Sequence, residues 1–237
     1  MYLPSHFEER RPAVLHGLLH THPLGLLITR GDAGLAADPL PFLLDAARGP
    51  HGTLRCHVAR ANPVWRDADG QDALVVFQGP QAYVSPGWYA SKAASGKVVP
   101  TWNYVMVQAR GRMRTVDDPA WLRTLVGELT VRHEAPQAVP WQVSDAPADY
   151  IDTMLKAIVG IEIELVSLVG KWKVSQNRPA ADRAGVVHAL QAQAHDAALA
   201  MAQQVQAPGA GTAAGAAASS VLDTKAGSQA RELDEPS

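Results

Sequence analysis

Four short stretches concentrate the residues that could hold or transform a ligand: "CHVARANPVW" (56–65), "AYVSPGWY" (82–89), "GKVVPTWNY" (96–104) and "GKWKVSQNR" (170–178). They contain four of the six tryptophans, together with Arg60, Asn62, Ser85, Lys97, Thr101, Asn103, Lys173, Ser175, Gln176 and Asn177. Taken singly, each stretch reads as a turn in which a tryptophan plugs the end of a sheet. Taken together, aromatic planes beside amides and a few cations suit a planar, hydrogen-bonding, anionic ligand. Arg and Lys can grip a phosphate, Ser and Thr add hydroxyl donors, and Asn or Gln can read the edge of a ring.

Other patterns carry less. "SKAASGKV" (91–98) resembles the end of a Walker A loop, but Ser91 replaces its first glycine and Val98 its magnesium-binding hydroxyl. The chain has no dinucleotide fingerprint after a strand and no G-x-S-x-G elbow. His16 and His20 share a helical face with His22 close by, a metal-ligand spacing, yet no further ligand cluster joins them and no metal is expected. Cys56 and His57 are neighbours on a strand, so they face opposite ways, and Cys56 reads as a buried, inert thiol.

The elements that must position these stretches follow from periodicity and punctuation. Pro12 opens a helix with Val14, Leu15, Leu18 and Leu19 on one face. Strands are expected at 24–30, 35–45, 52–59, 72–79, 80–86, from Lys97 to about Val116, and at 161–177, with 87–96 as a loop. Asp118-Pro119 caps a helix, a second helix runs over 147–159, and Pro179 opens a final helix of about 25 residues. Strands adjacent in sequence imply an antiparallel sheet. Such a sheet with one apolar face tends to curl into a barrel, so the fold class is α+β, mainly β, a small barrel flanked by helices. From Pro208 the Ala/Gly/Ser-rich composition has little to bury, and 208–237 is expected to be a disordered tail after a 1–207 domain.

Charge bounds the partners. The chain carries 21 Lys+Arg against 23 Asp+Glu. The tail from Met201 holds two of the bases and four of the acids, which leaves the rest formally neutral and gives no support to non-specific DNA binding. A single cysteine excludes an intrachain disulfide and fits a reducing, cytoplasmic setting. The N-terminus lacks a signal-like apolar segment, and no stretch is long enough to span a membrane.

In order and spacing, "MYLPSHF", "PLPFLLD", "HVARANPVW", "VVFQGPQAYVSPGWY", "GKVVPTWNY" and "GKWKVSQNRP" resemble the PaiB family, described as FMN-binding negative transcriptional regulators. The resemblance runs from Met1 to about Leu190. It implies a six-stranded antiparallel FMN-binding split barrel, similar to pyridoxamine-phosphate oxidases and flavin reductases, and a homodimer with FMN in a groove between subunits. By the same resemblance, Arg60 and Lys97 are candidates for the FMN phosphate, with Ser85 and Thr101 as hydroxyl donors. Asn62, Asn103 and Gln176 are candidates for the isoalloxazine edge or ribityl chain. Trp88, Trp102, Tyr104 and Trp172 are candidates for its walls, with Tyr89 and Lys173 in the same windows and His57 near the ring. The family often has a Thr-His pair before "LPF"; here Ala37-Asp38-Pro39 stands in its place. The expected function is an FMN-binding regulator, with DNA as a partner by the family's label alone. A flavin-dependent oxidoreductase or flavin reductase, or a haem-binding barrel with His57 or His133 as ligand, are the alternatives.

Overall fold

The computed structural model describes residues 1–32 and 34–209; of the tail expected at 208–237, all but Pro208 and Gly209 lies outside the described residues. In chain order the elements are β1 (Glu8–Glu9), α1 (Pro12–Thr21), β2 (Leu24–Gly31), β3 (Gly34–Pro41), β4 (Leu43–Asp45), β5 (Thr53–Ala59), α2 (Val64–Asp67) and β6 (Asp72–Val84). There follow α3 (Ser91–Ser95), β7 (Thr101–Val116), α4 (Pro119–Glu134), α5 (Ala148–Lys156), β8 (Ile158–Lys173), α6 (Ala180–Ala192) and α7 (Asp196–Gln206).

The expected mixed class with an antiparallel sheet is what forms, but with eight strands rather than six. Their order is β3-β2-β6-β7-β8-β5-β4, with β1 added on β8, so among the described residues the path runs open from β3 to β4. The strand read at 35–45 divides at Phe42, whose amide turns aside to the carbonyl of Pro23. β3 then pairs with β2 and β4 with β5. The strands read separately at 72–79 and 80–86 are one, β6. Its pairing with β2 covers Leu74–Val76, so the missing N–H of Pro80 interrupts none of that ladder.

Two compact units draw on interleaved segments, and β6, β7 and β8 each contribute residues to both. One unit comprises 23–76 and 108–168. Leu27, Leu54, Cys56, Val75, Ile161, Ile163 and Leu165 are among its fully buried strand residues. Asp118 caps α4 by accepting the Trp121 amide at 2.8 Å. Trp121 packs against both the Leu43, Leu125 and Leu129 cluster and the Leu122, Ile151 and Leu155 cluster. Burial pushes the Cys56 thiol far up, which makes it the inert group its position suggested.

Glu162, only 3% exposed, is the buried charge of this unit. Arg48 donates to it at 2.5 Å, and Arg114 donates to its other oxygen. Burial alone would raise its carboxyl, but the two guanidinium groups outweigh that and hold it below the usual range. Glu162→Gln is therefore expected to lower stability by about 2 kcal/mol at neutral pH. A folded-state value below the unfolded one gives stability that is present above the unfolded value and lost as pH falls through the folded one. The gap between wild type and variant should close along that acid limb, as measured by denaturant unfolding at stepped pH.

The other unit comprises 1–22, 77–107 and 169 onward. Pro12 opens α1 as expected, and α1 buries Val14, Leu15, Leu18 and Leu19. The segment read as a loop at 87–96 holds a single 3₁₀ turn at Pro86–Trp88 and the helix α3, which Gly96 closes at φ 63°. β7 starts at Thr101 rather than Lys97, because Pro100 ahead of it has no N–H to give a ladder. The long terminal helix is two helices. Ala194 turns left-handed at φ 53°, and the His195 ring accepts the Ala198 amide at 3.2 Å to cap α7. Among the described residues no helix is long and apolar enough to cross a membrane.

Candidate functional site

Side-chain alternation sorts the aromatic and cationic residues of β7 and β8. On β7, Asn103 and Val105 are buried while Trp102 is 54% exposed and Tyr104 is half-buried. On β8, Trp172 is buried on one face, and Lys171, itself only 8% exposed, and half-buried Lys173 lie on the opposite face. One face thus carries Trp102, Tyr104, Lys171 and Lys173. Tyr83 of β6 joins it, its ring edge-on to Trp102 at 6.0 Å.

The two lysines of this face are close together, and Glu8, opposite Lys171 in the β1–β8 ladder, is held by Arg10 rather than by either of them. Lys173 Nζ donates to Thr101 Oγ1 at 2.6 Å and to the Trp102 carbonyl. Lys171 Nζ donates to the Tyr2 carbonyl at 3.0 Å and lies 5.4 Å from the centre of the Tyr104 ring. Burial, then the positive charges of Lys171 and Arg178, hold Lys173 below the usual lysine range. The Arg178 guanidinium covers the Tyr89 ring at 4.8 Å. It is also near enough to Asp182 to help keep that carboxyl low. Among the described residues none of Lys171, Lys173 and Arg178 forms a salt bridge. Three cations of which one is electrostatically strained make a site that gains from an anion.

The remaining sequence-predicted residues fall into two groups. Lys97 is exposed and Trp88 half-buried, and Ser85 accepts the Gly87 amide at 3.2 Å, which leaves its hydroxyl proton to donate. Tyr89 is buried with a hydroxyl that has no partner. These belong to the same unit as that face. The others are engaged by the protein. Asn103 exchanges hydrogen bonds with Ser175 at 2.9 and 3.2 Å. The Trp172 indole donates to Gln204 at 3.0 Å, and Gln176 closes on the backbone of Val174 and Trp172.

His57, Arg60 and Asn62 belong to the other unit. Arg60 is bidentate to Asp117 at 2.6 and 2.8 Å and also donates to the carbonyls of Lys156 and Ile158. Asn62 donates to Asp38 at 2.8 Å and accepts the Val64 amide at 2.9 Å. His57 is half-buried with Nδ1 unpartnered, and burial lowers its pKa.

Sequence reasoning passed over Lys171 and Tyr83. The signal for Lys171 was present: in "KWK" the two lysines stand two apart on a strand, so they share a face.

A family model described as "Putative FMN-binding domain" matches residues 1–167. An uncharacterized protein of Emericella nidulans is 34% identical over 245 residues, covering 88% of this chain and 98% of its own length. The "Protease synthase and sporulation protein PAI 2" of Bacillus subtilis is 29% identical over 210 residues, covering 87% of this chain and 97% of its own. Among solved structures, that of the FAD and heme binding protein from Mycobacterium smegmatis superposes with a TM-score of 0.53 at 16% identity, over 70% of this chain and 73% of that one, a likeness of fold. With seven-tenths of its length inside the family model and whole-length relatives on either side of 30% identity, the chain belongs to the PaiB-type FMN-binding domain family.

Proposed function

We propose that this protein binds FMN on the aromatic and cationic face of β6, β7 and β8, and that flavin occupancy regulates transcription, as a PaiB-like negative regulator. The observation that carries the binding is the cluster of Lys171, Lys173 and Arg178, none of which forms a salt bridge among the described residues, beside the exposed pair Tyr83 and Trp102. A phosphate dianion relieves the repulsion among the cations, and a flat tricyclic ring suits the aromatic pair. Thr101 and Ser85 supply hydroxyls, and exposed Lys97 supplies a further cation. The regulatory output is supported by the Bacillus subtilis relative, which is named for protease synthesis and sporulation. Flavin regulates only if it binds two conformations with different affinity.

The working state is a homodimer. In the unit of 23–76 and 108–168, Leu24, Leu26, Leu35 and Val166 are exposed on β2, β3 and β8. Arg30, Asp72 and Arg110 line the same surface, so it carries both signs of charge beside apolar side chains, as a self-pairing surface requires.

A second reading, an FMN-dependent oxidoreductase, is favoured by His57. Burial lowers its pKa, which favours the neutral imidazole, and its buried Nδ1 has no protein partner, the state of a ring nitrogen left for a bound group.

The deciding experiment is the visible spectrum of the purified protein with and without added FMN, together with its gel-filtration mass. A dimer with perturbed flavin bands, promoter DNA retarded in a flavin-dependent way and no NAD(P)H consumption is the expected result. Unperturbed FMN would remove the site, and steady NAD(P)H oxidation would favour the enzyme.

A further inference from the structure

Helix α6 grips the segment ahead of β7 at three places. The Arg178 guanidinium, just before the helix, covers the Tyr89 ring at 4.8 Å. Asp182, 1% exposed, accepts the Ser91 amide at 2.9 Å and the Ser91 hydroxyl at 2.8 Å. At Gly185 the helix presses on the Trp88 carbonyl, where a Cβ would stand 2.0 Å from the oxygen. Asp182 and Gly185, three apart, share a face of α6, and Arg178 reaches the same segment from just before the helix, so 88–91 is held along a line rather than at a point.

The grip continues toward Lys97 through a short relay. The Ser95 hydroxyl donates to the Ser91 carbonyl at 3.3 Å, and its oxygen accepts the Lys97 amide at 3.2 Å. Gly96, left-handed at φ 63°, sits between them and donates to Lys92. The chain of hydrogen bonds runs Asp182, Ser91, Ser95, Lys97. It begins on a buried carboxylate and ends at the backbone of an exposed lysine whose side chain has no partner among the described residues.

We propose that Asp182 is a positioning residue for FMN: through Ser91 and Ser95 it fixes the backbone that presents Lys97 to the flavin phosphate. This rests on the flavin-binding reading above. Asp182 touches no part of the ligand. Removing its charge frees the Ser91 turn, and Lys97 must then be ordered each time flavin binds, which weakens binding.

A double-mutant cycle with FMN as the probe tests this. Asp182→Asn is expected to raise the Kd for FMN about tenfold in the wild-type background, and less than about twofold in the Lys97→Ala background, since it acts through that lysine. Ser91→Ala, which removes only the hydroxyl donor, should give a smaller effect of the same pattern and covers the case in which Asp182→Asn fails to fold. Amide hydrogen exchange over residues 91–97 in the flavin-free protein should speed up in both variants, a readout that needs no ligand. Equal factors in the two backgrounds, or unchanged exchange at 91–97, would overturn the assignment of Asp182 alone. A wild-type protein that leaves FMN unperturbed would overturn the flavin reading and the inference with it.

Discussion

Lys173→Ala is expected to weaken FMN binding by about a hundredfold while leaving the protein folded. A charge-assisted hydrogen bond to a phosphate is worth up to about 3 kcal/mol, and the side chain is central among Lys171, Arg178, Thr101 and Trp102. Stability should hold, because the two neighbouring cations lose a repelling partner. The pH dependence has a definite sign. In the flavin-free protein Lys173 lies below the usual lysine range through burial and two like charges. The fold therefore carries a cost while Lys173 is charged, and sheds it as pH rises through that lowered value. A bound phosphate favours the charged lysine, so FMN affinity should fall as pH rises through the same region, and binding there should take up protons. Titration calorimetry in two buffers of different ionisation enthalpy checks both the affinity and the proton uptake; equal affinity in wild type and Lys173→Ala would remove the phosphate from this cluster.

Trp172→Ala is expected to lower unfolding stability by about 4 kcal/mol, the usual cost of emptying a buried indole site. Trp172 is 2% exposed and donates to Gln204, which also accepts the Gly209 amide. The tryptophan therefore joins β8 to the end of α7. Trp172→Phe separates packing from flavin contact. It should recover most of the stability and leave FMN affinity within about twofold, because its ring shares a buried face with Val174 and not the face of Lys171 and Lys173. A large loss of affinity in a stable Trp172→Phe protein would put the indole back against the flavin.

Most of the secondary structure was legible because it rests on local signals. Pro12, Asp118 and the apolar face of Val14, Leu15, Leu18 and Leu19 are read directly from spacing, and each depends on neighbours a few residues away. The four windows were legible as a composition of aromatics, amides and cations. What composition could not do was sort them, and strand parity does that. In "TWNY" the residues at 102 and 104 share one face and Asn103 shares the other with Val105, so that amide is buried against Ser175. The same rule in "KWK" puts both lysines, buried Lys171 and half-buried Lys173, on the face opposite Trp172. Arg60 illustrates a different limit. Its partners Asp117, Lys156 and Ile158 are far away in sequence, and no local pattern announces a bidentate pairing across that distance. The break between α6 and α7 hangs on Ala194 at positive φ, which alanine seldom adopts and which no propensity would forecast.

The pairing of β1 with β8, Glu8 opposite Lys171, bears on how the polypeptide is made. A ribosome releases Glu8 early, yet its ladder partner emerges only after most of the protein has been translated, and the Pro208 carbonyl that Arg11 holds at 3.0 Å comes later still. The nascent N-terminus must wait without its partners, while β2 to β5 already have neighbours to pair with. Contacts of such sequence separation slow folding. The segment that carries Trp102, Lys171 and Lys173 should thus be the last to mature, and flavin capture a post-translational event rather than a cotranslational one.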